Sequence, residues 1–399
     1  MGEKHFKPRC LSLDLEVGKE DGRIHAFGAV RGETGHGYYG GGSASQLTRL
    51  EALADGATFL LGHNLIEFDL PYLRAAKFDL RLLDLAVIDT LRLSPLAFPR
   101  NPYHRLVKHY QDGALVRGRI NDPELDARLA LRVFGEQREA LSKAAPDLLT
   151  AWHWLTTPDS DGVDRALDDC FSDLRGAPRP ADAEAQVAIR HRLKGAACTT
   201  HTRELLTGTV TDGWALAYAL AWLSVVGGDS VMPPWVRHQF PEAGRLVRRL
   251  RDTACTDPAC GWCRERHDAR KELKNWFGFD CFRPEPVDTD GRPMQQAVVE
   301  EAMAGRHGRG ILPTGTGKSL CYQIPALSRY YKTGALTVVI SPLVALMADQ
   351  VTGLERHGIE CCVTVNGMLS MPERAEALER VRLGSAGILL IAPEQLRSR

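Results

Sequence analysis

The sequence has no excess of charge of either sign: 50 Lys and Arg residues balance 50 Asp and Glu residues. No global field draws it toward nucleic acid or a membrane, so any such affinity must come from local patches. It also lacks a long apolar run. The most apolar stretch, WALAYALAWLSVVGG, is about 15 residues, short of the roughly 20 needed to span a bilayer. The N-terminal MGEKHFKPRC has no apolar signal-peptide core. A cytoplasmic protein is expected, associated with the nucleoid if the source is prokaryotic. The ten cysteines are scattered except for one cluster, which excludes a disulfide framework and leaves reduced thiols plus one candidate metal site. There is no internal repeat and no low-complexity tract. What remains is 399 residues, 44% hydrophobic and 25% charged, an ordinary globular composition in a chain too long for one core.

The apolar pattern changes along the chain. CLSLDLEV, RIHAFGAV and HGYYGG alternate apolar and polar residues between turn signals and read as a three-stranded antiparallel meander. ATFLLGHN and LAVIDT read as a fourth and a fifth strand, with the helix FDLPYLRAA between them. From Tyr103 to about Lys143 the pattern is helical, and within it NDPELDARLALRVF opens with Asp122 as N-cap and Pro123 at the first helical position. Residues 146–250 read as helices separated by Pro and Gly stretches. WALAYALAWL among them is core rather than a cofactor box. Residues 251–281 are basic and cysteine-bearing. Residues 282–399 alternate candidate strands (RGILPT, ALTVVIS, ECCVTV, AGILLIA) with helices, as a parallel α/β sheet does. Four segments follow: 1–145, 146–250, 251–281 and 282–399.

Asp14 and Glu16 lie two apart on the first strand and so share a face. Adjacent acids repel, and a divalent cation resolves the conflict. Asp69 at a helix start and Asp126 in a helix's first turn complete a set of four acids able to hold two Mg²⁺ or Mn²⁺ ions roughly 3.5–4 Å apart, the arrangement that activates water against a phosphodiester. The structural alternative is that Asp69 and Asp126 favour helix N-termini and the D-x-E pair is solvated. SLDLEV, LLGHNLIEFDLPYL, IDT and NDPELDARLA, in this order, resemble DEDD-type 3′→5′ exonucleases over about residues 8–145. The resemblance implies an RNase H-like fold and catalysis by Asp14, Glu16, Asp69 and Asp126. One departure stands out. The family's water-orienting His or Tyr would fall at Asn121 or Asp122, which leaves the general base unassigned. His104 and His109 are near in sequence and read as ordinary surface or packing residues.

ACTDPACGWCRERHD supplies Cys255, Cys260, Cys263 and His267, with Cys281 further on. These ligand types at this spacing suit tetrahedral Zn²⁺, with His267 or Cys281 as the fourth ligand. An iron–sulfur cluster or free structural thiols are the alternatives. Arg- and Lys-rich flanks interleaved with Trp262 and Trp276 point to phosphate contact, against the plainer reading of solvated helix faces.

ILPTGTGKSLCYQIPAL has the strand–loop–helix order of a phosphate-binding loop, although the strict pattern's first glycine is replaced by Leu312. Gly315 and Gly317 let backbone N–H groups approach phosphate, Lys318 supplies a point charge, and Ser319 can bind Mg²⁺ at a helix start. TGTGKSLCYQIPAL, VVISPLVALMADQV, LLIAPEQL and LKNWFGFDCFRP resemble the opening motifs of RecQ-type superfamily 2 DNA helicases over about residues 272–399. The resemblance implies ATP binding by Gln295, Thr314, Gly315, Thr316, Gly317, Lys318 and Ser319. It further implies that Gln295 reads adenine, that Arg292 shapes its pocket, and that Ser341 to Gln350 flank DNA. The Walker B acid and a second RecA-like lobe do not follow. The 399-residue polypeptide is therefore expected to bind nucleotide weakly, to be neither an ATPase nor a helicase alone, and to represent the N-terminal part of a longer protein.

The whole reads as an α/β protein: an RNase H-like exonuclease domain, a helical linker with a basic Cys-rich module, and a partial RecA-like lobe, an arrangement similar to Werner-type helicases. Its expected substrate is DNA, single-stranded or with a 3′ overhang, processed in repair or defence; RNA stays open. The competing reading is a non-catalytic DNA-binding adaptor or regulatory fragment. Oligomeric state and protein partners are not legible.

Overall fold

A twisted mixed sheet organises the first part of the chain. The computed structural model describes residues 9–101, 104, 122–208, 211–225 and 232–396. By contacts the chain divides into two units, one formed by Met1–Pro99 and Tyr103–Ile189, the other by Arg100–Pro102 and Arg190–Arg399. The helices of 146–250 are thus shared between the two units, and the cysteine-bearing segment falls in the same unit as the C-terminal sheet.

In the first unit, β1 (Cys10–Val17), β2 (Ile24–Arg31) and β3 (Gly37–Gly41) form the antiparallel meander that the alternation predicts. β4 (Phe59–Gly62) and β5 (Ala86–Asp89) add in parallel, giving the order β3-β2-β1-β4-β5. β1 divides its side chains strictly. Leu11, Leu13 and Leu15 enter one core with Leu47 and Leu50 of α1 (Ala44–Leu53) and Leu73 of α2 (Leu70–Ala76). Ser12, Asp14 and Glu16 occupy the other face, as period-two geometry requires. After α3 (Thr90–Ala97), helix α4 (Pro123–Ser142) crosses that face. Asp122 caps it, its carboxylate accepting from Leu125 N, with Pro123 at the helix start. Small residues let α4 lie close. Ala127 and Ala130 are buried, the Ser12 hydroxyl donates to Ala127 O at 2.8 Å, and a Cβ on Gly28 would fall 2.0 Å from Glu124 N. Further along, Phe134 meets Phe59 edge-on. Helices α5 (Pro146–Thr156) and α6 (Arg165–Arg175) follow, and α7 (Asp182–Leu193) carries the boundary between the units.

The second unit begins with α8 (Thr199–Thr207), α9 (Gly213–Leu223), α10 (Pro234–Gln239), α11 (Pro241–Arg251), α12 (Gly261–Arg266) and α13 (Ala269–Phe277). α9 is buried continuously from Ala215 to Leu223, so WALAYALAWL is core. α14 (Met294–Met303) and α15 (Leu320–Thr333) precede a βαβαβ stretch: β6 (Thr337–Ile340), α16 (Val344–Glu355), β7 (Cys362–Val365), α17 (Met371–Leu383) and β8 (Ile388–Ile391). The three strands are all parallel, in the order β6-β8-β7, the mixed architecture expected of a RecA-like lobe.

One expected strand is missing. RGILPT forms no ladder among the described residues, where β6 pairs only with β8. Its alternation is real, with Ile311 71% exposed and Leu312 buried, but alternation without a hydrogen-bonded neighbour leaves an extended segment rather than a strand. No described helix is long and apolar enough to cross a membrane.

Candidate functional site

The fold brings three of the four predicted acids together. One carboxylate oxygen each from Asp14, Glu16 and Asp126 lies within 4.8 Å of the others, each residue half-buried. β1 fixes the first two on one face, and the first turn of α4 delivers the third through Asp126 N–H donating to Asp122 O. The close approach at Gly28, paired directly with Asp14 across the β1–β2 ladder, sets how near that turn can come.

Asp69 does not join this group. It is 2% exposed, and its Oδ1 accepts from Leu15 N at 2.9 Å. β1 pairs with β4 only from Cys10 to Ser12, so beyond that point the side chain of Asp69 takes the place of a missing strand partner. Burial, and then the charge of Asp14, push its carboxyl well above the ordinary range. Asp69 therefore adjoins the cluster electrostatically, while its bond to Leu15 N braces the strand that carries Asp14 and Glu16.

Two further residues shape the site; both lie within stretches that carry the resemblance, LLGHNLIEFDLPYL and IDT, but neither is given a role by the sequence reading. Asp89, also buried, accepts from the backbone N–H groups of Asn64, Ile66 and Leu91. It thereby pins the turn after β4, where Asn64 adopts a left-handed φ of 66°. His63 in the same turn has Nδ1 2.9 Å from the Thr90 hydroxyl, which donates to Gly62 O. Burial pulls its imidazole down to about 4, against the opposing pull of a His104 backbone hydrogen bond and the Asp126 charge, so it is neutral near pH 7. His104, read as a surface or packing residue, is buried. Asn121 and His109 lie outside the described residues, and Asp122 is accounted for by capping.

In the second unit, the loop before α15 carries Gly315 and Gly317 at φ values of 80° and 76°, conformations that glycine adopts without a Cβ penalty. Lys318 folds back, its Nζ 3.1 Å from Leu312 O and 3.4 Å from Pro313 O. The Thr316 hydroxyl also donates to Pro313 O. Gln295, buried at the start of α14, donates to Gly317 O at 2.8 Å and to Thr316 O at 3.3 Å, and accepts from Arg283 N. Arg283, which lies in the FRP of LKNWFGFDCFRP but is given no role by the sequence reading, donates to Gly315 O at 2.7 Å. Thr314 lies in the same turn, and Ser319 takes the N-cap position of α15 without a capping side-chain bond. Arg292 pairs with Asp288 at 3.0 Å. Gln350 of α16 accepts from Tyr322 and Gln323 of α15, joining two of the expected motifs.

A lysine on its own loop carbonyls must change partners to meet a phosphate. Charge-assisted hydrogen bonds contribute roughly 1.5–3 kcal/mol. Lys318→Ala is therefore expected to weaken ATP-analogue binding by about 10- to 100-fold in a fluorescence titration, the fold-change that energy implies. Unchanged affinity would remove Lys318 from the site.

The cysteine cluster differs from its sequence reading. Cys198, Cys255, Cys260 and Cys263 bring their Sγ atoms within 4.8 Å of one another. Neither His267 nor Cys281, the expected fourth ligands, takes part. Cys281 is exposed, and His267 Nδ1 lies 3.4 Å from Lys332 Nζ. Cys198 escapes a reading by spacing because it sits far upstream of the other three.

Comparison with known proteins bears on the second unit. Residues 292–399 match the DEAD/DEAH box helicase family. The chain is similar to the ATP-dependent DNA helicase RecQ of Bacillus subtilis, 39% identical over 132 residues, covering 33% of this chain and 20% of that protein. It is 35% identical to RecQ of Haemophilus influenzae over 132 residues, covering 33% of this chain and 19% of that one. The probable ATP-dependent DNA helicase RecS of B. subtilis is 34% identical over 129 residues, covering 32% and 23%. The chain thus spans about a fifth of the length of these relatives, and the likeness is confined to the helicase region.

Proposed function

We propose that this chain is a metal-dependent 3′→5′ DNA exonuclease joined to the N-terminal part of a RecQ-like, ATP-dependent DNA helicase. The convergence of Asp14, Glu16 and Asp126 carries the nuclease half. Three carboxylates at this spacing form a hard-oxygen donor set suited to Mg²⁺ or Mn²⁺, with Asp69 adjoining as the fourth acid. Asp14, Glu16 and Asp126 would hold such ions, which when bound would lower the pKa of a water and offset charge on the leaving oxygen. The chain's own residues provide the frame. β1 keeps Asp14 and Glu16 in fixed register, α4 presents Asp126, and Asp69 ties Leu15 in place. The sheet order β3-β2-β1-β4-β5, with its first three strands antiparallel and its last two parallel to β1, supports an RNase H-like reading of this unit.

For the helicase half, the similarity to RecQ proteins supports ATP and Mg²⁺ binding at Thr314 to Ser319, adenine contact by Gln295, and DNA along Ser341 to Gln350. DNA that is single-stranded or bears a 3′ overhang is the substrate class, processed in repair or defence.

A duplex with a 5′-labelled 3′ overhang tests the nuclease half. With Mn²⁺ the expected products are a ladder shortened from the 3′ end and abolished by EDTA. DNA that is bound but left uncut would instead favour a non-catalytic adaptor.

A further inference from the structure

The four gathered cysteines come from three places in the fold. Cys198 occupies the N-cap position of α8, Cys255 lies in the link after α11, Cys260 precedes α12, and Cys263 sits in its first turn. Cys198 and Cys260 are almost fully buried, and Cys263 is 9% exposed. Backbone bonds hold the arrangement, because Cys198 N donates to Leu250 O at 2.8 Å at the end of α11. Cys255 N–H also donates to Cys263 Sγ at 3.5 Å, an N–H···S contact of the kind that stabilises a thiolate.

We propose that Cys198, Cys255, Cys260 and Cys263 bind one zinc ion as a closed tetrathiolate site that staples α8, α11 and α12 together. Zinc–sulfur bonds of about 2.3 Å in a tetrahedron place the sulfurs about 3.8 Å apart. Cys260 and Cys198 Sγ are 3.8 Å apart, and every pair is within 4.8 Å. A disulfide would bring two sulfurs to roughly 2.0 Å. An iron–sulfur cluster places several iron and sulfide atoms between its thiolates and spreads them more widely than a single ion does. Four soft donors with no open position favour a structural zinc ion over a catalytic one.

The surroundings suit the double negative charge of a zinc tetrathiolate. Trp262 and Tyr331 pack in the same cluster as the cysteines, and Arg251 stacks on both rings, 4.6 Å and 5.2 Å from their centroids. Arg251 is 2% exposed, donates to Tyr331 O, and its Nε has no hydrogen-bond partner among the described residues. Tyr331 belongs to α15, the helix that opens on Lys318's loop. The staple thus braces the far end of the helix that begins at the nucleotide loop.

Metal analysis of protein purified without chelator is expected to find one zinc per chain. Cys198→Ser should lose it, whereas Cys281→Ser and His267→Ala should keep it. Wild-type protein provides a readout that survives misfolding of the variant. Mercurial titration should release zinc in step with four thiols, and cobalt-loaded protein should show the charge-transfer band and d–d spectrum of a tetrathiolate site. Metal-free protein, stoichiometric iron with acid-labile sulfide, or zinc retained in Cys198→Ser but lost in His267→Ala would each overturn the proposal.

Discussion

Asp14→Asn is expected to abolish 3′→5′ digestion while leaving the melting temperature unchanged or slightly higher. The two effects have opposite physical origins. Two like charges about 4 Å apart repel by roughly 1 kcal/mol in water and about 4 kcal/mol at the effective dielectric of a protein surface. Neutralising one of three clustered carboxylates therefore relieves repulsion in the metal-free protein. The same change removes a hard anionic ligand. Metal activation of water and stabilisation of a leaving oxygen supply several kcal/mol of transition-state stabilisation, so single-turnover cleavage should fall by about 10³-fold. Thermal melting in EDTA and a quenched-flow assay with Mn²⁺ separate the two. A stability loss that matches the activity loss would make Asp14 a packing residue rather than a ligand.

Gly28→Ala is the second large effect, and here stability and activity should fall together. The added Cβ would lie 2.0 Å from Glu124 N and from Pro123 C, and 2.3 Å from Pro123 O, all rigid backbone atoms at the start of α4. The helix must move, since no flexible side chain can give way. Overpacking of this kind costs about 1–3 kcal/mol, which for a unit of this size lowers the melting temperature by roughly 2–12 °C. The displaced turn carries Asp126, and a misplacement of about 1 Å can cost on the order of 10²-fold in rate. Wild-type melting and cleavage in Gly28→Ala would mean that the close packing of α4 on β2 does not position the acids.

The elements legible in the sequence are those whose signal is local. The meander follows from alternation in CLSLDLEV and RIHAFGAV, and the start of α4 from Asp122 and Pro123, because strand period and helix capping involve only near neighbours. Asp14, Glu16 and Asp126 are legible as acids in motif order, but their meeting depends on Gly28 and Ala127, small residues whose role emerges only once sheet and helix pack. Motif order presents Asp69 as an equal partner of the other three. Its buried position opposite Leu15 follows from where β4 ends, which no local pattern encodes. Spacing points to His267 or Cys281 as the fourth ligand beside three thiols, whereas the fold brings Cys198 in through the Cys198–Leu250 backbone bond. RGILPT alternates like a strand, yet alternation reports side-chain facing and not the presence of a partner.

The central claim is that cleavage belongs to the carboxylate cluster and nucleotide binding to a separate loop in the other unit. The most direct test runs wild type, Asp14→Asn and Lys318→Ala side by side, without nucleotide, on the same 3′-overhang DNA with Mn²⁺. The account predicts a 3′-shortened ladder of equal intensity for wild type and Lys318→Ala, and intact DNA for Asp14→Asn. Digestion that survives in Asp14→Asn, or that disappears in Lys318→Ala, would contradict it.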